Sequence, residues 1–248
     1  MGDISVYVIS LRDSEVRRRK MTERLDALSI PFQFVDAIDG RYQRLPDEFD
    51  GARVVRDAFH SEAALGCAMS HRRVHRMIVD GPDDLALVLE DDAEPDPDFP
   101  NALALAATLR FDVLKFEGGP WGRRAKVGQL GKYRVMAGTA SLGAAAYLIR
   151  KAAAARFCAF PILDQITDIA FGDLRLGLRV LDLEPYPVKQ DATLTQLDYQ
   201  QFRPSPTARL GRFAQLGLSI RKRAMFVRLY GLRAAIKMDL GRITGTTW

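Results

Sequence analysis

Short apolar runs alternate with amphipathic segments over the first 190 residues of the chain. The runs end at turn residues, as buried strands do. They lie at 4–11, 31–35, 85–89, 111–116 and 178–183. The segments between them repeat apolar residues at helical spacing. These lie at 15–28, 61–79, 98–109, 150–157 and 163–171. Strands that alternate with helices predict an α/β domain with a mostly parallel central sheet.

The apolar run 85–89 is followed directly by Glu90, Asp91 and Asp92. In open α/β sheets, ligands bind beyond the carboxyl ends of the strands. If the extended conformation continues to residue 92, Glu90 and Asp92 face one way and Asp91 the other. Two carboxylates on one side form a site for a hard cation, Mg²⁺ or Mn²⁺, together with phosphate oxygens. The alternative is a solvated acidic turn.

Composition points to a soluble globular protein and excludes several classes. Apolar residues make up 48% of the chain and charged residues 27%. Two cysteines are too few for a disulfide framework or a cysteine-rich zinc site. Neither a P-loop nor the G-x-G-x-x-G fingerprint occurs, which argues against a nucleoside triphosphatase or a common dinucleotide oxidoreductase. We find no secretory signal pattern at the N-terminus and expect a cytoplasmic protein.

The net charge of +5 is unevenly distributed. Residues 201–248 contain ten Lys and Arg residues against one Asp, whereas residues 1–200 contain 26 basic and 30 acidic residues. We therefore divide the chain into a domain, 1–200, and a basic amphipathic helical tail, 201–248. Such a tail suits an anionic membrane surface, and the alternative is a tail packed on its own domain.

Six segments of the chain occur in a recognisable order. They are 6–11 followed by Arg18, 34–40, 66–71, 88–92, 144–151 and 160–164. In order and spacing they resemble the successive blocks of glycosyltransferase family 25, the lipooligosaccharide glycosyltransferases, over residues 4–195.

The resemblance implies a GT-A-like nucleotide-sugar-binding domain and an inverting hexosyltransferase. The expected donor is a UDP-hexose, with galactose or glucose as the sugar, and the expected acceptor is a lipid-linked saccharide or oligosaccharide of lipopolysaccharide. It also implies that Glu90 and Asp92 hold Mn²⁺ or Mg²⁺, which agrees with the interpretation of the acidic run. The candidate donor-binding residues in the matching blocks are Ser10, Leu11, Arg18, Asp36, His71 and Asp91. For His71, a structural hydrogen-bonded histidine is the alternative.

An inverting transfer needs a base to accept the proton of the acceptor hydroxyl. Our first candidate is Asp164, an acidic residue at a predicted helix start, and our second is Asp168, four residues later on the same predicted helical face. The alternative for Asp164 is a helix N-cap.

Two other classes of function remain open at this point. A metal-dependent phosphohydrolase would use the same acidic residues. A nucleic-acid-binding protein would account for the basic tail, but the acidic body argues against it, and we expect no nucleic-acid partner. We expect the protein to lie peripherally on the inner face of the cell membrane.

Overall fold

The computed structural model describes residues 4–41, 45–119, 124–138, 142–191, 224–225 and 227–231. The strands are β1 Ser5–Ser10, β2 Gln33–Asp36, β3 Glu48–Phe49, β4 Ala52–Val54, β5 Leu85–Glu90, β6 Ala93–Pro95, β7 Val113–Lys115, β8 Arg124–Leu130, β9 Tyr133–Gly138, β10 Ala146–Arg150, β11 Ile162–Leu163, β12 Val180–Glu184 and β13 Val188–Gln190. The helices are α1 Glu15–Ala27, α2 Glu62–Asp80, α3 Phe99–Ala107, α4 Lys151–Ala159 and α5 Thr167–Phe171.

The central strand β5 shows why its sequence forms a buried strand. Its four inner residues, 86–89, are all apolar and all buried. Because strand side chains alternate, Leu87 and Leu89 enter the core on one face of the sheet, and Ala86 and Val88 enter the core on the other. Both faces of the sheet are therefore covered, as the uninterrupted apolar run predicted.

Helices cover the two faces of the sheet in separate layers. One core takes Met21 and Leu25 from α1 together with Leu103 from α3. The opposite core takes Val74 and Ile78 from α2, with further residues from α4 and α5. The molecule is thus a three-layer α/β/α structure, and its class agrees with the α/β prediction.

The central sheet has eight strands in the order β2-β1-β5-β10-β7-β12-β9-β8. β1 pairs in parallel with both β2 and β5, and β7 pairs in parallel with β12. β10 is antiparallel to β5 and β7, and β9 is antiparallel to β12 and β8. Six of these eight described strands consequently point in one direction, and β9 and β10 point in the other. The sheet is therefore mixed, although most of its strands share a direction.

Two local predictions are wrong. Residues 163–171 do not form one helix, because Ile162–Leu163 pairs with β4 as strand β11 and α5 begins only at Thr167. Residues 41–60, whose polar sequence predicts an irregular connection, are not wholly irregular, since β3 and β4 form a small sheet with β11. Tertiary pairing decides both segments, and single-segment patterns do not record it.

Most of the predicted tail lies outside the described residues, as does the boundary between residues 200 and 201. Residues 224, 225 and 227–230 are helical, and Val227 and Tyr230 pack against the core. The Tyr230 hydroxyl donates to the Val180 carbonyl and accepts from the Val180 amide, both at 2.6 Å. This part of the tail is therefore docked on the domain. Within the described residues, every helix is too short or too polar to cross a bilayer.

Candidate functional site

Three parallel strands end together at one edge of the sheet, where their polar residues meet. Ser10 Oγ, at the end of β1, donates to Asp91 Oδ2 beyond the end of β5 at 2.6 Å. Arg18 of α1 donates to the carbonyls of Ser10 and Leu11 at 3.1 and 3.2 Å. It also donates to Asp36 Oδ1, at the end of β2, at 2.5 Å. The structure thus joins five of the six candidate donor-binding residues in one hydrogen-bonded network.

The three carboxylates after the apolar run have two orientations. Glu90 faces α2, where its Oε1 lies 2.9 Å from His71 Nε2. Asp91 and Asp92 face α1, where Arg17 forms an ion pair with Asp91 and its Nη2 lies 3.8 Å from Asp92 Oδ2. The side-chain alternation that we expected through residue 92 fails, because β5 ends at Glu90.

The environment of Asp91 and Asp92 is buried and polar. Burial raises the pKa of Asp91, although the hydrogen bond from Ser10 and the charge of Arg17 act in the opposite direction. Asp92 is 2% exposed, and its Oδ2 accepts a hydrogen bond from Gln190 Nε2 at 3.1 Å. Strand β13 brings Gln190 to this position by pairing with β6.

Glu90 is connected to a buried polar chain. His71 Nδ1 lies 2.8 Å from the Tyr147 hydroxyl, which lies 3.0 Å from His75 Nε2. Burial raises the pKa of Glu90, but the hydrogen bond and charge of His71 outweigh it, and the net pKa is lowered. Burial keeps the pKa of His75 well below its usual value, so His75 is neutral at pH 7. The sixth candidate donor-binding residue, His71, thus contacts the acidic run rather than the Ser10 network.

A second pair of carboxylates, Glu117 and Asp168, lies close to the first group. Glu117 follows β7, which points in the same direction as β5, so the two strands end at the same edge. Its Oε2 accepts a hydrogen bond from the Ala145 amide at 3.2 Å. Burial raises the pKa of Glu117 to about 7 against the opposing charge of Lys115. Negative charge on the acidic run adds to this increase.

The two candidate bases lie in different environments. Asp168 is buried in α5, where it accepts hydrogen bonds from the amides of Gly143 at 3.0 Å and Ile169 at 2.8 Å. Burial raises its pKa, although these hydrogen bonds oppose the change. Asp164 precedes α5 and forms two hydrogen bonds with Arg175 at 2.8 and 2.9 Å. Residue 166 is the N-cap of α5, so Asp164 is neither its cap nor on a helical face with Asp168.

The carboxylates share one region of negative potential. Burial raises the pKa of the Cys67 thiol well above its usual value, and the charges of Glu90, Asp168 and Asp92 raise it further. Carboxylate oxygens are the ligands that Mg²⁺ and Mn²⁺ prefer. The carboxylates of Glu90 and Asp92 have the chemistry that a hard divalent cation prefers, but they face α2 and α1 and do not form the same-sided pair that the sequence predicts. Glu117 and Asp168 add to the negative potential that attracts a cation.

The sequence alone did not identify two residues of this edge, and it did not show that a third faces the carboxylates. Glu117 follows the short apolar run 111–116, as Glu90 follows the run 85–89, but the Gly-Gly-Pro sequence after it predicts only a loop. Gln190 carries no signal, because only the β13–β6 pairing brings it to Asp92. Arg17 was one of four consecutive basic residues, and the sequence does not distinguish the one that faces the carboxylates.

Comparison with known proteins finds relatives of the segment that contains most of the residues at this edge. Residues 3–117 match the model of glycosyltransferase family 25, described as an LPS biosynthesis protein. An Aedes aegypti protein named glycosyltransferase 25 family member is 31% identical over 113 residues, which are 42% of this chain and 18% of that protein. This part of the chain is similar to glycosyltransferase family 25. The chain thus spans about a fifth of the length of that relative.

The family 25 segment contains the network of Ser10 and Asp91, the acidic run and Glu117, whereas Asp168 lies beyond it. Similar solved structures include S. aureus TarS 1–349 in complex with UDP-GlcNAc, with a TM-score of 0.44 and 12% identity over 99% of this chain and 73% of that chain. A glycosyltransferase involved in glycosylation of the major capsid of PBCV-1 has a TM-score of 0.33 and 14% identity over 62% of each chain. Likeness at these TM-scores does not bear on function.

Proposed function

We propose that this protein is an inverting glycosyltransferase that moves a hexose, galactose or glucose, from a UDP-sugar to a saccharide acceptor of lipopolysaccharide or lipooligosaccharide. One observation carries the proposal: within the family 25 segment, polar and acidic side chains from three parallel strands converge on one edge of the sheet. This edge is where α/β sheets bind nucleotides.

To hold the divalent cation, Mn²⁺ or Mg²⁺, Glu90 and Asp92 would have to turn toward each other, because their carboxylates face different helices in this structure. When bound, such a cation neutralises the charge that develops on the leaving diphosphate. The chain's own residues would bind and orient the donor. The Ser10–Arg18–Asp36 network fixes the ends of β1 and β2 and would hold the nucleoside part of the donor in a defined orientation.

Arg17 is the side chain of this edge best suited to the diphosphate. Its guanidinium already lies against Asp91, and its Nε is buried without a hydrogen-bond partner in the part of the chain that the structure describes. A buried guanidinium with an unused donor is strongly favoured to bind phosphate oxygens. Arg17 would therefore neutralise the acidic run before donor binding and contact the diphosphate afterwards.

Three carboxylates are candidates for the base that accepts the acceptor's proton. Asp164 is held by Arg175, and both oxygens of Asp168 accept backbone hydrogen bonds. Burial raises the pKa of Glu117 to about 7. A base with a pKa near the operating pH is the most effective. We therefore favour Glu117 for this role, followed by Asp168.

We also propose that the basic tail directs the protein to an anionic membrane, where a lipid-linked acceptor would be found. The support is the excess of nine positive charges over residues 201–248. The segment around Tyr230 packs on the domain, and the other basic residues of the tail would supply the attraction to lipid headgroups.

The direct test is UDP release from a panel of UDP-hexoses with Mn²⁺ and a lipopolysaccharide-core oligosaccharide. We expect acceptor-dependent release that EDTA abolishes and a glycosylated product with inverted anomeric configuration. Release of free phosphate or free hexose at the same rate without acceptor would contradict the proposal and favour a phosphohydrolase.

A further inference from the structure

Three potential metal ligands of mixed chemistry meet beside the acidic run. Cys67 and His71 are four residues apart on α2, so their side chains lie on the same helical face. Glu90 reaches them from the end of β5. Its Oε1 lies 3.7 Å from Cys67 Sγ and 2.9 Å from His71 Nε2, and all three ligand atoms lie within 4.8 Å of one another.

These distances are close to those of a tetrahedral zinc site. Zinc binds sulfur at about 2.3 Å and nitrogen or oxygen at about 2.0–2.1 Å, which separates neighbouring ligand atoms by roughly 3.3–3.6 Å. The Cys67–Glu90 distance of 3.7 Å lies just above this range. The His71–Glu90 distance of 2.9 Å lies below it, and a rotation of the Glu90 carboxylate would open it. Cys67 and Glu90 are partly exposed, so an ion can reach them from solvent.

One of the three ligands, His71, is also held in place by hydrogen bonds to other buried side chains. Metal-bound histidines usually donate a hydrogen bond from their second ring N–H to another group, which fixes the tautomer. Here His71 Nδ1 is hydrogen-bonded to the Tyr147 hydroxyl, which is hydrogen-bonded to His75 Nε2. The chain is complete when His75 Nε2 donates to the Tyr147 hydroxyl, Tyr147 donates to His71 Nδ1 and His71 Nε2 donates to Glu90. When an ion replaces the contact with Glu90, the chain can reverse: His71 Nε2 presents a lone pair to the ion, Nδ1 donates to Tyr147 and Tyr147 donates to His75 Nε2.

We propose that Cys67, His71 and Glu90 form a binding site for a borderline-soft divalent cation of the zinc class. The ligand set of thiolate, imidazole and carboxylate selects Zn²⁺ or Co²⁺ over Mg²⁺. On binding, the Cys67 sulfur–hydrogen bond is replaced by a sulfur–metal bond, and the proton passes to solvent. Tyr147 and His75 hold His71 in the tautomer that leaves its Nε2 lone pair directed at the ion.

This site differs from the Glu90–Asp92 pair in its ligands and in its preferred ion, but the two share Glu90. An ion of the zinc class would take Glu90 from that pair, so the site is suited to inhibition by zinc. The inference rests on the geometry of α2 and β5 and not on the proposed transferase activity.

The test is a titration of the metal-free full-length protein with Co²⁺, monitored by the thiolate-to-cobalt charge-transfer absorption band. We expect one equivalent of Co²⁺ to produce the band, one equivalent of Zn²⁺ to remove it and excess Mg²⁺ to leave it unchanged. Cys67→Ser should abolish the band. The matched control is Cys158→Ser, which removes the other cysteine of the chain and should retain it.

A second variant keeps the test independent of how Cys67→Ser folds. Glu90→Gln preserves the shape of the side chain and both cysteines, and it should weaken Co²⁺ binding at least tenfold. Cobalt binding without a charge-transfer band, a band that survives Cys67→Ser, or unchanged affinity in Glu90→Gln would overturn the assignment. Because no nucleotide is present, these results leave the proposed transferase activity unaffected.

Discussion

The carboxylate of Glu117 lies in the space that a side chain at Gly143 would fill. A Cβ on Gly143 would lie 2.3 Å from Glu117 Oε2 and 2.6 Å from Oε1. Gly143 also has φ +94°, which L-residues rarely adopt, and its amide donates to Asp168. One glycine therefore permits the close approach of the two carboxylates that we propose for catalysis.

The first prediction concerns this glycine. Gly143→Ala should lower the free energy of unfolding by about 3 kcal/mol or more, because positive-φ strain of roughly 1–2 kcal/mol is added to displacement of the Glu117 carboxylate. The matched control is Gly177→Ala, where φ is +60° and no atom lies within 4 Å of the added Cβ, so it isolates the strain. Urea denaturation of both variants measures the difference, and equal losses would contradict the close approach.

The second prediction concerns the pKa of Glu117. Because its folded pKa of about 7 exceeds the ordinary value of 4.5, the folded state holds the proton more tightly than the unfolded state does. This contribution is complete below pH 4.5, and it falls as the pH rises through 7. The loss amounts to roughly 3 kcal/mol at its largest.

Glu117→Gln should therefore lose less stability than wild type does between pH 5 and pH 8. Its stability relative to that of wild type should rise with pH. Denaturation of metal-free protein across this range measures the effect, with the exposed Glu23→Gln as the matched control. Parallel stability curves for wild type and Glu117→Gln would mean that the pKa of Glu117 is not raised.

The third prediction separates the three candidate bases. Glu117→Gln should lower kcat by about 10²–10⁴ with little change in donor KM, because loss of a general base affects the chemical step. Asp168→Asn should have a smaller effect, and Asp164→Asn should leave kcat nearly unchanged. Steady-state kinetics with a saturating acceptor measure all three. A large loss of kcat in Asp164→Asn alone would return the role to our first candidate from the sequence.

The sequence predicted the strands and helices that bury a continuous apolar pattern. The run 85–89 identified β5, and the acids after it lie at the sheet edge where the candidate site is proposed. Ser61 likewise marks the start of α2, since its side chain accepts a hydrogen bond from the Ala64 amide. These features depend on a few adjacent residues, so one sequence is enough to predict them.

Features that depend on pairing were not predictable in this way. The β8–β9 hairpin, which includes Lys126 and Gly128, forms the edge of the sheet and shows little apolar alternation. The antiparallel direction of β10 leaves no signal in its sequence, because Ala146–Arg150 has the same apolar pattern in either direction. The same limit concealed Glu117, whose role depends on the distance between the ends of β5 and β7.

The fourth prediction concerns the tail. Neutralising three adjacent basic residues should weaken binding to anionic vesicles by about 100-fold, because each contributes about 1 kcal/mol near the surface. The variant is Arg221→Gln with Lys222→Gln and Arg223→Gln. The matched control removes the same charge from the exposed surface of the domain through Arg12→Gln, Arg19→Gln and Arg110→Gln.

Co-sedimentation with phosphatidylcholine vesicles, with and without phosphatidylglycerol, measures this binding. The control should bind phosphatidylglycerol vesicles as wild type does. Equal loss in both variants would show a general effect of charge and contradict a specific role for the tail.

The most direct test of the central claim, that the acidic edge binds a nucleotide diphosphate through a cation, is calorimetric titration of UDP into the protein with Mn²⁺. We predict binding that EDTA abolishes and that Asp92→Asn weakens at least tenfold. Asp26→Asn, an exposed control on α1, should bind UDP as wild type does. Unchanged UDP affinity in Asp92→Asn, or equal binding in EDTA, would contradict the account.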